Sequence, residues 1–367
     1  MGLFCFSVPR SLEDNPFGVI PRRWRICCST APMTSSPCDH RFAYGLRFAS
    51  DFPLPELPDS APDASSAPDV RIELDSPFPR AEVQRLITPD CPIENVMLFE
   101  ESCYRVLFSE VGRFTVRDGS HVLVEPLEGT SASSWRLPLL GSILALLLEQ
   151  RGLLALHAGA VEMPGPDGTP IACALAGEKG QGKSTLNASL ALAGFPLLCD
   201  DVLGLDLPAD RSQSPVVRVG YGGIKLVPDT VRAVLNRAPE ELSQVSPELA
   251  EDPELNKRHF SAPLSATPLP LRHVFLLASH EDDGDEGRDA VSLRSLAPQE
   301  ALGALFPHTF AARWGELYLK GAVRSAHFKG CAQVVASCHV WELSRRRDIG
   351  LLPQTIELIA RTAREVS

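Results

Sequence analysis

The sequence predicts a mixed protein of the α+β or α/β class, in which a larger domain follows a small antiparallel β domain. Short segments that alternate between apolar and polar residues fill much of residues 40–124. An apolar strand, a glycine-rich loop and a helical pattern then follow one another over residues 171–194. Two apolar runs, 153–161 and 171–176, are separated by a short turn sequence, which predicts neighbouring antiparallel strands in a mixed sheet.

The composition limits the classes of function. The 367 residues suffice for one large or two ordinary domains, and 44% hydrophobic residues suffice for a core. A formal net charge of −11 argues against broad binding to nucleic acids or anionic membranes, which require basic surfaces. The ten cysteines include no C-x-x-C pair, no apolar stretch is long enough to cross a bilayer, and the N-terminus lacks a secretory pattern. We therefore predict a cytoplasmic protein with free thiols and no nucleic-acid or membrane partner.

The pattern of apolar and polar residues changes twice along the chain, which predicts three segments. Residues 1–32 show no periodicity and are predicted to be disordered or a start-site extension, with Met33 as an alternative start. Residues 33–130 are predicted to form a small β-rich domain, either a scaffold or a peptide-docking surface with an open strand edge. Residues 131–367 are predicted to form the larger domain, which contains the glycine-rich loop.

The predicted elements follow from periodicity and turn signals. In the small domain we expect a loop at 51–69, a hairpin turn at Asp118-Gly119, and strands at 41–48, 70–74, 96–99, 104–108, 114–116 and 121–124. In the larger domain we expect helices at 138–150, 186–193, 229–259, 298–306 and 354–363. Its strands are expected at 153–161, 171–176, 195–199, within 216–227, and at 272–278, 292–296 and 338–343.

The glycine-rich loop matches the G-x-x-x-x-G-K-[ST] pattern of a P-loop. Its residues are Gly177, Glu178, Lys179, Gly180, Gln181, Gly182, Lys183, Ser184 and Thr185. The glycines allow backbone N–H groups to turn inward on an anion, and the following helix adds free N–H donors. Lys183 would reach the β- and γ-phosphates of ATP, and the Ser184 hydroxyl would hold Mg²⁺. The alternative is a glycine-rich turn that matches by chance.

Two adjacent carboxylates, Asp200 and Asp201, end an apolar strand that follows the P-loop helix. Consecutive side chains on a strand point to opposite faces, so only one of the pair is expected to face the phosphates directly. A carboxylate near the γ-phosphate can organise Mg²⁺ or accept a proton from an attacking hydroxyl. The alternative is solvation of the strand end or helix capping.

Other polar residues give weaker signals. His157 ends the strand beside the P-loop strand and is either a packed residue or a phosphate neighbour. Lys225, Lys257 and Arg258 are candidate phosphate or substrate contacts, with ordinary surface cations as the alternative. The arginines at 345–347 are predicted to form a solvated face or a contact for an acidic peptide.

Three segments in this order resemble the C-terminal catalytic domain of HPr serine kinase/phosphorylase. They are residues 156–159 (Leu-His-Ala-Gly), the P-loop, and residues 198–201 (Leu-Cys-Asp-Asp). The resemblance implies a fold akin to phosphoenolpyruvate carboxykinase. It also implies that Lys183 binds phosphates, that Ser184 holds magnesium, and that Asp201 accepts the proton, with Asp200 beside it and His157 in support. We assign Asp200 to the magnesium together with Ser184. The sequence differs from the family in two respects. Where the family has the signature Glu-Ile-Arg-Gly, this chain has only Gly-Ile-Lys at residues 223–225, and the family's regulatory N-terminal domain is not recognisable.

The whole chain is more similar to the HPr-kinase-like proteins of lasso-peptide and related pathways. This similarity lies in three places: the β domain that begins near residues 44–57, the Leu-His-Ala-Gly-Ala strand at 156–160, and the Tyr-Gly-Gly-Ile-Lys-Leu-Val-Pro-Asp run at 221–229. It implies ATP- and Mg²⁺-dependent phosphorylation of the C-terminal serine of a precursor peptide. The alternatives are an HPr-type protein serine kinase of metabolic regulation, an NTPase or small-metabolite kinase, and a non-catalytic ATP-binding module that escorts a peptide. A peptide or small protein is the expected partner, and the sequence leaves open whether the chain forms a homo-oligomer.

Overall fold

The computed structural model describes residues 38–59, 67–75, 95–108, 111–210, 213–247, 251, 256–280 and 289–366. The prediction for residues 1–32 lies outside these ranges, as does part of the predicted loop at 51–69. The described residues form a mixed α+β structure built on two large sheets, which confirms the coarse fold class. The division into domains at residue 130 stays a prediction.

Among the described residues the first sheet has seven strands, which are numbered along the chain and pair in the order β1-β2-β3-β7-β6-β5-β4. Its strands are β1 (Asp39–Ala43), β2 (Leu46–Ser50), β3 (Val70–Leu74), β4 (Asn95–Glu100), β5 (Cys103–Phe108), β6 (Gly112–Arg117) and β7 (His121–Pro126). β3 pairs in parallel with both β2 and β7, whereas the other pairings are antiparallel. The predicted purely antiparallel domain is therefore wrong, because the sheet is mixed around β3.

Hairpin turns explain two outcomes in this sheet. The predicted single strand at 41–48 is wrong, because Tyr44 (φ 56°) and Gly45 (φ 73°) turn the chain between β1 and β2. Two consecutive residues at positive φ form the tight turn that matches the twist of a hairpin. The turn predicted at Asp118-Gly119 is confirmed, with φ of 55° and 60° between β6 and β7.

A continuous helical segment links the two sheets. It consists of α1 (Ala132–Pro138), a π-helical turn (Leu139–Ile143) and α2 (Leu144–Gln150). The predicted start at residue 138 is wrong by two turns, because Ser131 caps the helix by accepting a hydrogen bond from the Ser134 backbone N–H. Pro138 lacks a backbone N–H, and the wider π turn begins directly after it.

The second sheet has nine strands in the described part of the chain. They are β8 (Leu154–Leu156), β9 (Ala158–Pro164), β10 (Pro170–Ala176), β11 (Leu197–Cys199), β12 (Leu203–Asp206), β13 (Val216–Val217), β16 (Leu269–His280), β17 (Val291–Ser295) and β18 (His339–Arg346). The predicted antiparallel hairpin is confirmed, since β9 pairs with β10 from Pro164 opposite Pro170 to Ala158 opposite Ala176. β10 and β16 pair in parallel, as do β16 and β18, so this sheet is also mixed.

The predicted strand at 153–161 is divided at His157. β8 pairs with β12, whereas β9 pairs with β10 and β11 on the other side of the sheet. Between them the His157 backbone N–H donates to the carbonyl of His308 instead of to a strand partner. The apolar run is buried on both sides of the break, so its pattern gives no sign of the division.

The remaining elements surround the second sheet. The helices are α3 (Lys183–Leu192), α4 (Pro228–Leu235), α5 (Pro298–Leu305), α6 (Phe310–Arg313), α7 (Gly321–Ser337) and α8 (Leu352–Glu365). A separate two-stranded sheet pairs β14 (Gly223–Leu226) with β15 (Arg258–Ser261). The predicted helix over 229–259 is therefore wrong beyond Leu235, where Asn236 ends α4 in the left-handed conformation.

The first sheet and the linking helix share one apolar core. Phe48 and Phe114 of the sheet and Leu147 of the helix are each no more than 1% exposed within it. Val202 and Tyr221, which lie close to the carboxylate pair in sequence, belong to the same core. No helix of the described residues is both long and apolar enough to span a membrane.

Candidate active site

The glycine-rich loop joins the end of β10 to the start of α3. Gly180 (φ 87°) and Gly182 (φ 81°) adopt the left-handed conformation that glycine tolerates at little cost. Lys183 opens the helix and is only 9% exposed. Its ammonium folds back over the loop and donates to the carbonyls of Gly177 at 2.6 Å and Glu178 at 3.1 Å. The loop is thus a compact turn around the lysine side chain at a helix N-terminus.

Two side chains brace this loop. The Gln181 amide oxygen accepts a hydrogen bond from the Glu178 backbone N–H at 2.6 Å. Arg345 lies beneath the loop, where its Nη2 donates to the Gln181 carbonyl at 3.3 Å. A Cβ at Gly182 would collide with the Arg345 guanidinium, so a larger residue there would have to displace that side chain, and the φ of 81° also favours glycine.

The position of Arg345 corrects the interpretation of the arginine run at 345–347. Arg345 is 8% exposed, whereas Arg347, beyond the end of β18, is exposed. Side chains alternate across a strand, and this alternation was the available signal that one arginine of the run faces inward. Burial lowers the pKa of the Arg345 guanidinium, which nonetheless stays charged.

Asp200 connects the carboxylate pair to the loop. Its Oδ2 accepts a hydrogen bond from the Ser184 hydroxyl at 3.1 Å, and its Oδ1 accepts from the Asn187 amide at 2.8 Å. Sequence reasoning missed Asn187, although its place one helical turn after Lys183 puts both on the same face. Burial raises the pKa of Asp200, and the hydrogen bond from Asn187 opposes that rise.

Asp201 has an ionic environment instead. Its Oδ2 accepts from the Lys225 ammonium at 2.7 Å, and its Oδ1 lies 3.0 Å from Nδ1 of His157. Burial alone would raise the pKa of Asp201, but the charge of Lys225 and the hydrogen bond from His157 hold it well below the usual value. Its side chain is 24% exposed and therefore reachable by another molecule.

The lysines around Asp200 and Asp201 differ in how their surroundings shift their pKa values. Burial lowers the pKa of Lys183 to about 8, against the attraction of Asp201. Burial also acts to lower the pKa of Lys225, but the Asp201 charge outweighs it and raises the value. Lys257 faces the same group of charges, and burial, reinforced by the Lys225 charge, lowers its pKa. Three lysines therefore surround two carboxylates.

Two further residues near the site were missed by sequence reasoning. Arg313 is a further cation there, and burial lowers its pKa while Asp201 opposes the change. Its guanidinium lies 5.5 Å from the centre of the Phe310 ring, which in turn meets the His157 ring edge-on at 5.8 Å. His308 is close as well, and burial together with the Lys183 charge lowers its pKa to about 4.

Arg258 is placed differently from the other predicted contacts. Its Nε donates to the Pro239 carbonyl at 3.1 Å, and its Nη1 donates to the Asn256 side chain at 2.8 Å. These bonds hold the guanidinium against the segment that follows α4. They give Arg258 a structural role in fixing β15, so the phosphate contact predicted for it is not supported by its hydrogen bonds.

The residues of the site are of the types that could bind a nucleoside triphosphate together with magnesium. The loop offers glycine backbone and a lysine to phosphate oxygens, and no Cβ contact would arise at Gly180, where the surface is open. Ser184 and Asp200 supply two hard oxygen ligands, which suits Mg²⁺ because this ion usually retains several waters and binds through few protein groups. No cluster of three or more His, Cys, Asp or Glu side chains that could hold a metal occurs among the described residues.

Comparisons with known proteins add little to this geometry. A scan against protein-family models and a search of curated proteins found no match. A search of solved structures matched the Hpr(Ser) kinase/phosphatase from Coxiella burnetii, with 12% sequence identity and a TM-score of 0.28. The match covers 56% of this chain and 88% of that chain. A TM-score this low carries no argument, so any functional conclusion depends on the site.

Proposed function

We propose that the chain is an ATP- and Mg²⁺-dependent kinase that phosphorylates a serine hydroxyl of a peptide or small protein. The observation that carries the proposal is the hydrogen bond of 3.1 Å between Ser184 and Asp200. It joins the glycine-rich loop to the carboxylate pair, so groups suited to phosphate and groups suited to an alcohol lie side by side. This juxtaposition favours phosphoryl transfer over a chance glycine turn.

Each half of the site has a distinct task in this proposal. The backbone N–H groups of the loop and the Lys183 ammonium would hold the phosphates, while Ser184 and Asp200 would hold the magnesium ion. When bound, the ion neutralises charge on the phosphate oxygens. Arg313 would add positive charge on the side of His157, where charge develops during transfer.

Asp201 would orient the acceptor hydroxyl. Because Lys225 and His157 keep its pKa low, Asp201 is a weak base but a good hydrogen-bond acceptor. A loose phosphoryl transition state demands little base strength, and it depends mainly on positioning and charge neutralisation. Asp201 would thus hold the hydroxyl in line with the phosphate and take its proton late in the transfer.

We take the C-terminal serine of a natural-product precursor peptide as the acceptor class, on the strength of the sequence resemblance. The test is incubation of the purified protein with Mg²⁺ and γ-labelled ATP and three matched peptides. One ends in serine, one in serine amide and one in alanine. We expect label in the first, less in the second and none in the third, measured by mass spectrometry.

Other results would point elsewhere. Hydrolysis of ATP without label in any peptide would favour an NTPase or a small-metabolite kinase. Binding of ATP without turnover would favour a non-catalytic escort module. HPr is added as a further substrate in a parallel incubation, and label on HPr but on none of the peptides would favour a protein kinase of metabolic regulation. Failure to bind ATP at all would remove the proposal.

A further inference from the structure

Asn187 is a buried polar side chain that contacts the candidate site from within the protein. It belongs to α3 and is completely buried. Its Nδ2 donates a hydrogen bond to Asp200 Oδ1 at 2.8 Å, whereas its Oδ1 is buried without a hydrogen-bond partner in the described part of the chain. Among the described residues this amide therefore bonds only to a carboxylate that we assign to magnesium.

This bonding pattern is unfavourable for a residue that serves stability alone. A buried polar atom without a partner costs free energy, which offsets what the amide gains at its other end. An apolar side chain of similar size would fill the same volume without that cost. The presence of an asparagine is explained if its Nδ2 is needed to hold Asp200.

Gly159 provides the space that the Asn187 amide occupies. It lies in β9 opposite Leu175 of β10, and α3 packs against this strand. A Cβ at Gly159 would overlap the side-chain amide of Asn187. The φ of Gly159 is outside the left-handed region, so its backbone conformation does not require glycine. The absence of a side chain at this position therefore serves the amide.

Asp200 is held at both of its carboxylate oxygens by one helix. Its Oδ2 accepts from the Ser184 hydroxyl at 3.1 Å, and its Oδ1 accepts from Asn187. Ser184 and Asn187 are three residues apart in α3, so they are neighbours on one face of the helix. With both oxygens bonded, the carboxylate cannot rotate freely, and Oδ2 stays beside Ser184.

We propose that Asn187 is a positioning residue, which holds the Asp200 carboxylate in the orientation that binds Mg²⁺ together with Ser184. Gly159 is part of the same arrangement because it leaves room for the amide. The proposal rests on the proposed function, since it concerns the magnesium half of that site. Asn187 acts only through Asp200 and is assigned no contact with the ion or the nucleotide.

The test measures metal binding directly, with Mn²⁺ as a paramagnetic substitute for Mg²⁺. Electron paramagnetic resonance gives the Kd for Mn²⁺ in the presence of a non-hydrolysable ATP analogue, and isothermal titration in EDTA gives the Kd for the analogue without metal. In Asn187→Ala we expect the Kd for Mn²⁺ to rise by about 10- to 100-fold, the usual effect of removing a group that orients a metal ligand. The Kd for the analogue in EDTA should be unchanged, because the phosphate contacts lie in the glycine-rich loop.

Gly159→Ala should produce the same loss while Asn187 itself is kept. Its methyl group displaces the amide from Asp200, so the Kd for Mn²⁺ should rise by a similar factor. In the combination of Gly159→Ala with Asn187→Ala the methyl group meets no amide, so the second change should add nothing to the first. This lack of additivity distinguishes one shared contact from two independent defects.

Ser189→Ala is the matched control. Ser189 is also buried in α3, and its hydroxyl donates to the Thr185 carbonyl at 2.8 Å. The change removes a buried polar group from the same helix but leaves Asp200 and both of its donors in place. We expect the Kd for Mn²⁺ to stay at the wild-type value.

Each result decides for or against the assignment of Asn187. A wild-type Kd for Mn²⁺ in Asn187→Ala, with only a lower free energy of unfolding, would show a structural role and overturn it. Losses that add in the double variant, or an equal rise in the metal-free Kd for the analogue, would overturn it as well. If Asn187→Ala does not fold, Asn187→Leu keeps the buried volume, removes the donor and carries the same expectation. Failure of the wild type to bind Mn²⁺ with the analogue would instead overturn the magnesium assignment in the proposed function.

Discussion

Asp200 and Asp201 are neighbours with opposite surroundings. Asp200 accepts hydrogen bonds from the neutral donors Ser184 and Asn187, and burial raises its pKa. Asp201 accepts from Lys225 and lies beside His157, which keep its pKa low. Titratable groups whose environments separate their pKa values commonly have different roles. This difference is the residue-scale reason to assign the metal to Asp200 and the acceptor hydroxyl to Asp201.

Asp201→Asn tests that assignment. The amide keeps the size of the side chain but loses the charge that orients an alcohol proton. We expect kcat for peptide phosphorylation to fall by about 10²- to 10⁴-fold, while ATP binding stays within about twofold of the wild type because the phosphate contacts are separate. Steady-state kinetics and equilibrium binding of ATP measure the two quantities.

The matched control for this variant is the pair Asp201→Asn with Lys225→Gln. Asp201→Asn alone leaves the Lys225 ammonium, which is 14% exposed, without its carboxylate and should lower stability. The second change removes that unpaired charge, so it should restore stability without restoring kcat. Recovery of kcat along with stability would mean that Asp201 acts only through folding.

The two left-handed glycines of the loop provide a second comparison. Alanine at either Gly180 or Gly182 adopts an unfavourable φ, which costs about 1–2 kcal/mol. At Gly180 a Cβ meets nothing within 4 Å, whereas at Gly182 it collides with Arg345. We expect Gly182→Ala to weaken ATP binding by about tenfold or more relative to Gly180→Ala, because the guanidinium must leave the loop. Isothermal titration with ATP and urea unfolding measure both effects.

Equal losses of affinity in these two alanine variants would show that Arg345 does not shape the loop. The combination of Gly182→Ala with Arg345→Ala separates the two causes further. It removes the collision but keeps the unfavourable φ, so its ATP affinity should recover toward that of Gly180→Ala, which has an unfavourable φ and no collision.

At the scale of elements, local signals explain which predictions succeeded. The strand, glycine loop and helix at 171–192 were predictable because apolar run, turn and helical spacing are all contained in adjacent residues. The antiparallel pairing of β9 with β10 followed from their short connection. The division at His157 was not predictable, because it depends on a bond to His308, which lies about 150 residues away in sequence.

In the candidate site, too, residues in local motifs were predictable and residues brought in by long-range packing were not. The lysine, serine and aspartates were found because each lies in a motif with its own spacing. Arg345 and Arg313 come from elements far along the chain, and only the packing of β18 and α6 brings them to the loop. The mixed order of the first sheet was hidden for the same reason, since β3 joins β2 and β7 in parallel through long connections.

The contact between α2 and α7 contains a buried acidic group. Glu149 of α2 accepts a hydrogen bond from the Tyr318 hydroxyl at 2.8 Å, and His327 of α7 lies 3.8 Å from the same carboxylate oxygen. Burial raises the pKa of Glu149 to about 8, and burial lowers that of His327 to about 4. Near neutral pH this contact therefore holds a protonated acid beside a neutral imidazole.

This arrangement predicts a stability that falls as pH rises. Between pH 4.5 and about 8 the unfolded chain has lost the Glu149 proton while the folded chain keeps it. Folding then requires proton uptake, so rising pH favours the unfolded state by at most about 1.4 kcal/mol per pH unit. Glu149→Gln removes this titration, and its stability relative to the wild type should increase from pH 6.5 to pH 8.

Urea unfolding at both pH values provides the measurement. The range above pH 6.5 is chosen because His327, neutral when folded, also becomes neutral in the unfolded chain there. Glu240→Gln, at an exposed position, is the control and should show no such trend. A stability difference between Glu149→Gln and wild type that is the same at both pH values would contradict a raised pKa.

At the scale of the whole molecule, the first sheet contacts the backbone segments that carry the candidate site. The turn between β1 and β2 places Tyr44 in the interior, where it is 2% exposed. Its hydroxyl donates to the carbonyl of Val202 at 2.7 Å, and its backbone N–H donates to the carbonyl of Val219 at 2.6 Å. Val202 directly follows Asp201, so the sheet is tied to the backbone that carries the acceptor-orienting residue.

Tyr44→Phe tests how closely the sheet and the site are coupled. The change removes one buried hydrogen bond and leaves the Val202 carbonyl without that donor, which should cost about 1–3 kcal/mol of unfolding free energy. Because Phe48, Leu147 and Val202 belong to one core, we expect a single unfolding transition that shifts as a whole. Circular dichroism and tryptophan fluorescence, recorded together during urea unfolding, should give the same midpoint.

The exposed neighbour Phe42 supplies the control for this experiment. Phe42 lies in β1 beside the same turn and is 44% exposed, so Phe42→Ala should change stability by less than about 0.5 kcal/mol. Tyr44→Phe should also raise KM for the acceptor peptide more than KM for ATP, since Val202 adjoins Asp201 and not the glycine-rich loop. Two separate transitions, or equal effects on both KM values, would mean that the first sheet folds and acts independently of the site.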